Sequence, residues 1–283
     1  MISDEIKKKI IDKKELSGLK PDFLNSFLEK YFLKNKNALT ILEQKNFNER
    51  SKEFKELKKN IRKKLREVHG VFNKNKSTDR TKTIKELNVA STFEKKEHLL
   101  DFLKNHQSTK ERINSYIEIY TQVFEQKNLR VLDLGCGFNP LFFLLLPEKI
   151  SCVAIDINSE ELDLLSNMYS AFNKKIEAHQ LDLTESSTLI KVSKLSKKTN
   201  ITLMLKLLDS LETKNRGTTT KLLEQIQSEF LLISFATKSI GGNKKINGSR
   251  KWFKRAISKS RFTLEKEFET QNEKYLLFKQ KNS

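Results

Sequence analysis

The segment VLDLGCGFNPL at residues 131–141 restricts the possible folds of this chain more than any other stretch. Its first four residues, Val131–Leu134, have the length and composition of a buried strand. Gly135 and Gly137 follow at once, and glycine accepts the positive-φ backbone that a tight turn needs and lets a ligand approach closely. A buried strand that runs directly into such a turn is typical of a parallel sheet covered by helices.

The chain from about residue 106 repeats this alternation of strand and helix. Short apolar runs, separated by helical stretches, occupy residues 130–134, 150–155, 200–205 and 230–235. The last two apolar-rich segments, 262–268 and 274–278, have no helix between them and predict an antiparallel hairpin. We therefore predict an α/β fold with a Rossmann-like sheet of the class I methyltransferase type, parallel apart from its C-terminal hairpin.

The first 105 residues predict an all-helical domain. Pro21 opens a helix whose apolar residues recur at helical spacing, and a second helix is predicted over 48–68, with one apolar stripe formed by Phe54, Leu57, Ile61 and Leu65. Two more helices are predicted near 92–104 and 109–126, and the polar segment 73–79 is predicted to be a connector. The predicted domains are thus 1–105, helical and basic, and 106–283.

The net charge of +19 is distributed unevenly along the chain. Residues 1–100 contain 26 Lys/Arg and 15 Asp/Glu, a net charge of +11, and residues 237–283 contain 13 and 4, a net charge of +9. Residues 101–236 contain 16 and 17, a net charge of −1. A neutral middle between two basic ends predicts a catalytic or ligand-binding core whose flanking regions bind a nucleic acid or ribonucleoprotein.

Cysteine content and hydropathy restrict the compartment. The two cysteines, Cys136 and Cys152, cannot form a disulfide framework, and the start of the chain shows no secretory apolar region. The longest apolar run, 141–147, is too short to cross a bilayer. The histidines and cysteines show no metal-ligand spacing. We expect a cytoplasmic protein with no membrane segment and no metal.

The glycine turn predicts a nucleoside-bearing cofactor. It is not a dinucleotide fingerprint, because Pro140 replaces the third glycine, and it is not a P-loop. Asp133, at the end of the first strand, can accept a hydrogen bond from a cofactor amine. An ordinary tight turn between a strand and a helix is the alternative.

Two further acidic residues follow strand ends. Asp156 comes 21 residues after Gly135, in a position to bind ribose hydroxyls, or else to cap a helix near Ser159. Asp182 follows the third strand and is spaced to bind an adenine amino group, with an N-cap as the alternative. Three acidic strand ends in this order favour S-adenosylmethionine. Two neighbouring residues, Ile157 and Leu183, are included in the predicted cofactor site.

The segment HQSTKER (106–112) precedes the first strand. Ser108 and Glu111 have the spacing of a capping box for the helix that follows. This leaves Arg112 unexplained, and an arginine just ahead of the first strand can bind the methionine carboxylate of the cofactor bidentately. A surface arginine is the alternative.

The residues after the fourth strand restrict the chemistry. The segment that ends at Glu212 lacks the [ND]-P-P-[YF] motif of enzymes that methylate exocyclic amines. Cys136 lies in the cofactor turn and Cys152 in a strand, so attack by a cysteine on a pyrimidine carbon is disfavoured. Nitrogen seven of guanine is already nucleophilic, and positioning alone can drive its methylation.

Four segments occur in a familiar order: HQSTKER, LDLGCGFNPL, LKLLDSLE, and SFATKSIGG followed by Trp252–Phe253. Over roughly 105–255 the chain resembles the aminoglycoside-resistance methyltransferases of 16S ribosomal RNA, the Arm/Rmt/Kgm group. These enzymes methylate nitrogen seven of a guanine in the decoding-site helix of the small subunit. The chain departs from the family pattern at Asp209 and Ala236, where the family usually has proline.

The resemblance implies roles for individual residues. Arg112 would bind the cofactor carboxylate, and the remaining cofactor contacts would come from Gly135 and Gly137 (methionine portion), Asp156 (ribose) and Asp182 (adenine). Lys206 and Glu212 match positions at the mouth of the target pocket and are the candidate catalytic residues. Lys238 matches a basic residue that holds ribosomal RNA.

Two basic clusters are predicted to contact RNA phosphates. One lies in the Gly/Asn/Lys segment 241–251 and consists of Lys244, Lys245, Arg250 and Lys251; a solvated loop is the alternative. The other lies opposite the apolar stripe of the second helix and consists of Lys58, Lys59, Arg62, Lys63 and Arg66.

Together these features predict an S-adenosylmethionine-dependent methyltransferase of small-subunit ribosomal RNA. A methyltransferase for another RNA or a small substrate remains open, as does a ribosome-binding or assembly protein that binds the cofactor without turnover. Antibiotic resistance and routine ribosome maturation are both compatible with these residues.

Overall fold

The computed structural model describes residues 9–10, 21–69, 77–123, 128–147, 149–238 and 250–281. The described residues up to 69 form one compact unit, to which 157–159 are also assigned, and those from 77 onward form a second. The helices between 77 and 105 therefore belong to the same compact unit as the sheet. A division between docking and catalysis at residue 105 stays a prediction.

The first unit contains three described helices: α1 (Pro21–Lys34), α2 (Lys36–Gln44) and α3 (Lys52–His69). The predicted apolar stripe of α3 is confirmed, since Phe54, Leu57, Ile61 and Leu65 are all buried in one core. The helix begins at Lys52 rather than near residue 48, because the Ser51 hydroxyl accepts the Phe54 N–H (3.1 Å) and caps it there.

Four helices precede the sheet in the second unit: α4 (Ser77–Val89), α5 (Thr92–Asn105), α6 (Gln107–Arg112) and α7 (Tyr116–Thr121). Helix α4 was not predicted, and its first residues were placed in a connector, because Leu87 is the one buried side chain among 83–89, the part of the helix whose side chains are described, and gives no periodic pattern. The predicted continuous helix over 109–126 is also wrong. The chain turns after Arg112, and the Ser115 N–H closes that turn on the Arg112 carbonyl (2.8 Å).

Helix α6 also begins earlier than predicted from the proposed capping box of Ser108 and Glu111. His106 occupies the N-cap of α6, two residues before Ser108. The Thr109 hydroxyl donates to the carbonyls of Leu103 (2.7 Å) and His106 (3.1 Å), which joins α5 to α6. Glu111 directs its carboxylate to Lys206 instead.

The sheet has seven strands in the order β3-β2-β1-β4-β5-β7-β6. The strands are β1 (Asn128–Leu134), β2 (Lys149–Asp156), β3 (Glu177–Gln180), β4 (Ile201–Leu205), β5 (Phe230–Ala236), β6 (Phe262–Glu269) and β7 (Glu273–Gln280). The first five are parallel, and β7 is antiparallel to both β5 and β6. The predicted fold class and its C-terminal hairpin are confirmed.

Helices cover both faces of this sheet: α8 (Ser159–Ala171), α9 (Ser186–Ser196), α10 (Leu208–Lys214), α11 (Thr218–Gln225) and α12 (Lys251–Ser258). Successive strand residues enter opposite cores, with Val131 in one and Leu132 in the other. None of the described helices has the length and hydropathy needed to cross a membrane.

The strand order reverses direction between β1 and β4, because the chain first adds strands on one side of β1 and then returns to the other. In open α/β sheets, ligands bind at the carboxyl ends of the strands beside such a switch point. The topology therefore predicts a ligand site among the residues that follow β1, β2 and β4.

The turn after β1 is built on two glycines in left-handed conformations, Gly135 (φ +64°) and Gly137 (φ +48°). Gly135 and Cys136 both donate their backbone N–H to the Ile155 carbonyl, at 2.8 and 3.1 Å. A Cβ added to Gly135 would lie 2.6 Å from Leu207 Cδ1, a side chain that follows β4. The turn thus packs closely against the neighbouring strand end as well as requiring positive φ.

We expect Gly135→Ala to lower the free energy of unfolding more than Gly217→Ala. Both glycines have positive φ, which costs a substituted residue roughly 1–2 kcal/mol, but only Gly135 has an atom in the way; nothing lies within 4 Å of a Cβ at Gly217. Urea unfolding followed by circular dichroism measures the difference. Adding Leu207→Ala to Gly135→Ala removes the blocking atom and should reduce the difference in free energy of unfolding from Gly217→Ala. Equal losses of stability in the two single variants would contradict this account.

Candidate active site

Asp133 is at the centre of a buried hydrogen-bonded chain at the end of β1. The Tyr120 hydroxyl donates to Asn139 Oδ1 (2.7 Å), and Asn139 Nδ2 donates to Asp133 Oδ2 (2.6 Å). Burial raises the pKa of Asp133 to about 7, although Asn139 and the Arg112 charge act in the opposite direction. The carboxyl group is therefore ready to change its protonation state near neutral pH when a charged ligand binds beside it.

Asp156, the last residue of β2, is joined to the glycine turn. Its Oδ2 accepts the backbone N–H of Gly137 (2.9 Å), which holds the carboxylate next to the turn. The residue after it, Ile157, is half-buried. This placement brings two of the predicted cofactor residues, Gly137 and Asp156, into direct contact.

Asp182 occupies the turn after β3 and has several partners. Its Oδ1 accepts the backbone N–H (2.9 Å) and hydroxyl (2.7 Å) of Thr184, and its Oδ2 is paired with the Lys214 ammonium. Burial favours the neutral carboxyl, but Lys214 and Thr184 outweigh it and lower the pKa of Asp182. The N-cap of the next helix is Glu185, so the capping alternative for Asp182 is wrong. The following Leu183 is buried in the core.

Arg112 is buried, with 4% of its surface exposed, and forms a bidentate ion pair. Its Nε lies 2.9 Å from Glu273 Oε2 and its Nη2 lies 2.8 Å from Glu273 Oε1. The surface-arginine alternative is therefore wrong. Burial alone would lower the pKa of Arg112, but Glu273 more than compensates and raises it, so the guanidinium is firmly charged.

Lys206 follows β4 in a left-handed conformation (φ +54°) that few residues other than glycine adopt. Its backbone N–H is fixed by the Ser234 carbonyl (3.1 Å) and hydroxyl oxygen (3.0 Å) of β5. Its ammonium pairs with Glu111 and lies 3.3 Å from Glu273 Oε2. Backbone strain of this kind is concentrated at functional sites.

The segment after Lys206 is held by internal hydrogen bonds. Both carboxylate oxygens of Glu212 accept backbone N–H groups, from Gly217 (2.9 Å) and Thr219 (2.8 Å), at the start of α11. Glu212 therefore stabilises a helix N-terminus, and its place at the mouth of a target pocket stays a prediction.

Arg250 is engaged within the protein. Its guanidinium forms three hydrogen bonds to the Asp209 carboxylate, at 2.8–3.1 Å, and a longer one to the Ala236 carbonyl (3.3 Å). It also lies over the Phe235 ring, 4.4 Å from its centroid. The two positions at which the chain departs from the family pattern, 209 and 236, thus meet on one arginine.

The other predicted RNA-binding residues are placed as follows. On α3, Lys59 and Lys63 are exposed, Lys58 is half-buried, and the Arg62 Nε donates to the Ile10 carbonyl (2.7 Å). Lys251 is exposed at the start of α12 and Lys238 is half-buried after β5. Lys244, Lys245 and the side chain of Arg66 lie outside the described residues.

Three residues of this region were missed from the sequence: Glu273, Lys214 and Asn139. Asn139 belongs to the motif GCGFNP and its bond to Asp133 offers a local signal. Glu273 lies 161 residues from Arg112, at the start of β7 beside a polar turn, where no sequence pattern distinguishes it from a surface glutamate. Within the described ranges, no group of three acidic, histidine or cysteine side chains is arranged to hold a metal ion.

Two curated relatives share the name 16S rRNA (guanine(1405)-N(7))-methyltransferase. The relative from Micromonospora rosea is 26% identical over 189 residues, 64% of this chain and 66% of its own length. The relative from Frankia casuarinae is 30% identical over 147 residues, 50% of each chain. The chain therefore matches between half and two thirds of the length of these relatives.

The fold is shared with a solved structure over nearly its full length. A crystal structure of the 16S rRNA methyltransferase RmtF in complex with S-adenosyl-L-homocysteine matches with a TM-score of 0.72 and 22% identity, covering 99% of this chain and 100% of that chain. A family model described as ribosomal RNA methyltransferase (FmrO) matches residues 37–267, well over half of the sequence. The chain therefore belongs to the FmrO family of ribosomal RNA methyltransferases.

Proposed function

We propose that the protein transfers a methyl group from S-adenosylmethionine to nitrogen seven of a guanine in the decoding-site helix of 16S ribosomal RNA. It would act in the cytoplasm, on the small ribosomal subunit. The family match over residues 37–267 is the observation that carries the proposal. The shared name of the relatives from Micromonospora rosea and Frankia casuarinae supports the choice of guanine and of its nitrogen seven.

The residues around the glycine turn fit the proposed cofactor. Gly135 makes the tight turn, and at Gly137 the nearest atom to an added Cβ would be 4.0 Å away, so the backbone at Gly137 leaves room for a ligand. A buried cation, Arg112, suits a carboxylate, and a buried carboxyl group, Asp133, suits an ammonium. S-adenosylmethionine carries both groups on its methionine portion and supplies a methyl group activated by a positively charged sulfur.

The adenosine end is assigned to two further acidic residues. Asp156, held beside the turn by Gly137, would bind the ribose hydroxyls. Asp182 would lie near the adenine amino group, with Lys214 as its present partner. Ile157 and Leu183 would flank these contacts.

The site offers positioning rather than proton transfer. Nitrogen seven of guanine attacks through its own lone pair, and no proton has to leave, so a general base is not required. Lys206, the charged residue directly after β4, is already paired with Glu111 and Glu273. Lys206 would line the pocket for the guanine and exclude water, and its fixed backbone would keep that wall in place.

RNA docking is assigned to the basic surfaces. Lys59 and Lys63 on α3, with Lys58 beside them, would contact phosphates in the first unit, and Lys251 and Lys238 would do so near the active site. We propose that residues 1–105 dock on the folded subunit and residues 106–283 carry out the reaction.

The decisive experiment offers tritiated S-adenosylmethionine with intact small subunits, naked 16S RNA and transfer RNA in parallel. Label in the subunits, followed by strand cleavage at the modified guanine under alkaline conditions, would support the proposal. Label confined to transfer RNA would assign the enzyme to another RNA. Cofactor binding without transfer to any of the three would favour a ribosome-binding protein that lacks turnover.

We expect cofactor affinity to depend on the ionisation of Asp133. The pKa of this carboxyl group is about 7, and its neutral form cannot attract the ammonium of the cofactor. Below pH 7 the affinity for S-adenosylhomocysteine should therefore fall by up to about tenfold per pH unit, and above pH 7 it should level off.

Calorimetry between pH 5.5 and 8 measures this dependence. At pH 6, binding should also release close to one proton, which appears as a dependence of the heat on the buffer. The Asp133→Asn variant serves as the control, with weaker binding at pH 8 and a flat profile. A sloping profile that survives in this variant would assign the titration to another group.

We expect the double variant Lys59→Ala/Lys63→Ala to weaken binding to the small subunit. Both side chains are exposed and lie far along the sequence from the predicted cofactor residues. The affinity for S-adenosylhomocysteine should therefore stay unchanged. Loss of two phosphate contacts should reduce the slope of log affinity against log salt by about 1.5–2. Lys197→Ala/Lys198→Ala, an exposed pair at the end of α9, is the matched control; an equal effect of both double variants would indicate general charge attraction.

A further inference from the structure

Glu273 is a buried carboxylate with three side-chain partners. It is the first residue of β7, paired in the sheet with Ala236 of β5, and 1% of its surface is exposed. One carboxylate receives Arg112 through two hydrogen bonds (2.8 and 2.9 Å), the Ser234 hydroxyl, and Lys206 at 3.3 Å. No sequence pattern predicted a role for this residue.

The surroundings keep this carboxylate ionised. Burial by itself would raise the pKa of Glu273, but Arg112 and Lys206 outweigh it and the pKa is lowered. A buried carboxylate of this kind makes a strong, directional partner for a guanidinium, because two parallel hydrogen bonds fix the plane and the distance at once. Removing Glu273 would leave Arg112 buried without its paired charge, whereas Glu273 keeps Lys206 as a second partner.

The pairing leaves part of Arg112 available for a second carboxylate. Glu273 engages the edge of the guanidinium formed by Nε and Nη2. A guanidinium carries five N–H donors, and its other edge, formed by the two Nη atoms, can accept another bidentate partner. Glu273 thus holds one edge of Arg112, and the remaining N–H donors are those that a ligand carboxylate would use.

We infer that Glu273 is a positioning residue for cofactor recognition, which orients Arg112 toward the carboxylate of the methionine portion of S-adenosylmethionine. This inference rests on the proposed function. An arginine side chain that is already fixed loses little conformational freedom when the ligand binds, so the interaction is stronger than a mobile arginine would provide. Glu273 acts through Arg112 and does not itself touch the cofactor.

The charge of the cluster supports this arrangement. Two cations, Arg112 and Lys206, are balanced by two anions, Glu273 and Glu111. A ligand that brings both a carboxylate and an ammonium adds no net charge to the cluster. A nucleoside without these groups would lack the carboxylate that can pair with Arg112 in two parallel hydrogen bonds.

The test compares two ligands that differ only in this part. S-adenosylhomocysteine carries the amino acid carboxylate, whereas 5′-methylthioadenosine has the same adenosine and sulfur without it. The Glu273→Gln variant keeps the shape of the side chain but removes its charge. We expect calorimetry to show a loss of about ten- to a hundredfold in affinity for S-adenosylhomocysteine, with 5′-methylthioadenosine changed less than about twofold.

Three controls complete the experiment. Glu267→Gln, which removes an exposed partner of Lys274 on the same hairpin, should change neither affinity. In an Arg112→Gln background, Glu273→Gln should not reduce the affinity for S-adenosylhomocysteine further, because the arginine through which Glu273 acts is already absent. Glu273→Asp keeps the charge but withdraws it by one methylene, and it should reproduce the selective loss if Glu273→Gln does not fold.

The outcomes separate this inference from the proposed function. Equal losses for both ligands, or an unchanged affinity for S-adenosylhomocysteine in a folded variant, would overturn the positioning role while leaving the methyltransferase intact. A wild-type protein that binds neither ligand would overturn both. No ribosomal RNA is needed for any of these measurements.

Discussion

The ion pair between Arg112 and Glu273 joins parts of the chain that are far apart in sequence. Arg112 ends a helix that precedes the sheet, and Glu273 opens its last strand. The same carboxylate contacts residues from the ends of β4 and β5, so four elements meet on one charge. A buried pair of this kind contributes little net stability compared with an apolar core, but it favours one arrangement over others, because any misplacement leaves a charge unpaired. We regard it as the constraint that gives the carboxyl edge of the sheet its defined geometry.

The sheet could be predicted because its signal is local. Strands β1, β2, β4 and β5 are short apolar runs, and their alternation with helices leaves few topologies. The helices before the sheet were harder to predict. Among the described side chains of helix α4, only Leu87 is buried, and the turn after Arg112 interrupts the apolar pattern over 109–126. Periodicity detects an amphipathic face, and neither of these elements has one.

The candidate site follows the same division. Gly135, Gly137 and Asp156 could be found because the backbone of a strand–turn–helix unit fixes their spacing, and the structure brings them together. The partners of Arg112 and Asp182, Glu273 and Lys214, could not be predicted. Glu273 looks like any polar turn residue in sequence, and Lys214 like any basic residue at the end of a helix. A partner that is brought near only by the tertiary fold leaves no signal in the local sequence. The sequence alone therefore cannot identify this part of the site.

Arg250 carries a consequence for how this sequence can change. It is bonded to Asp209 in α10 and to the carbonyl of Ala236 at the end of β5. Asp209 contributes its side chain to this guanidinium, whereas Ala236 contributes only a backbone carbonyl, which any residue at that position would supply. A proline at position 209 alone would leave the partly buried Arg250 without its carboxylate partner. The same proline together with loss of Arg250 would leave no unpaired cation. Residues 209 and 250 are therefore expected to tolerate change together better than separately.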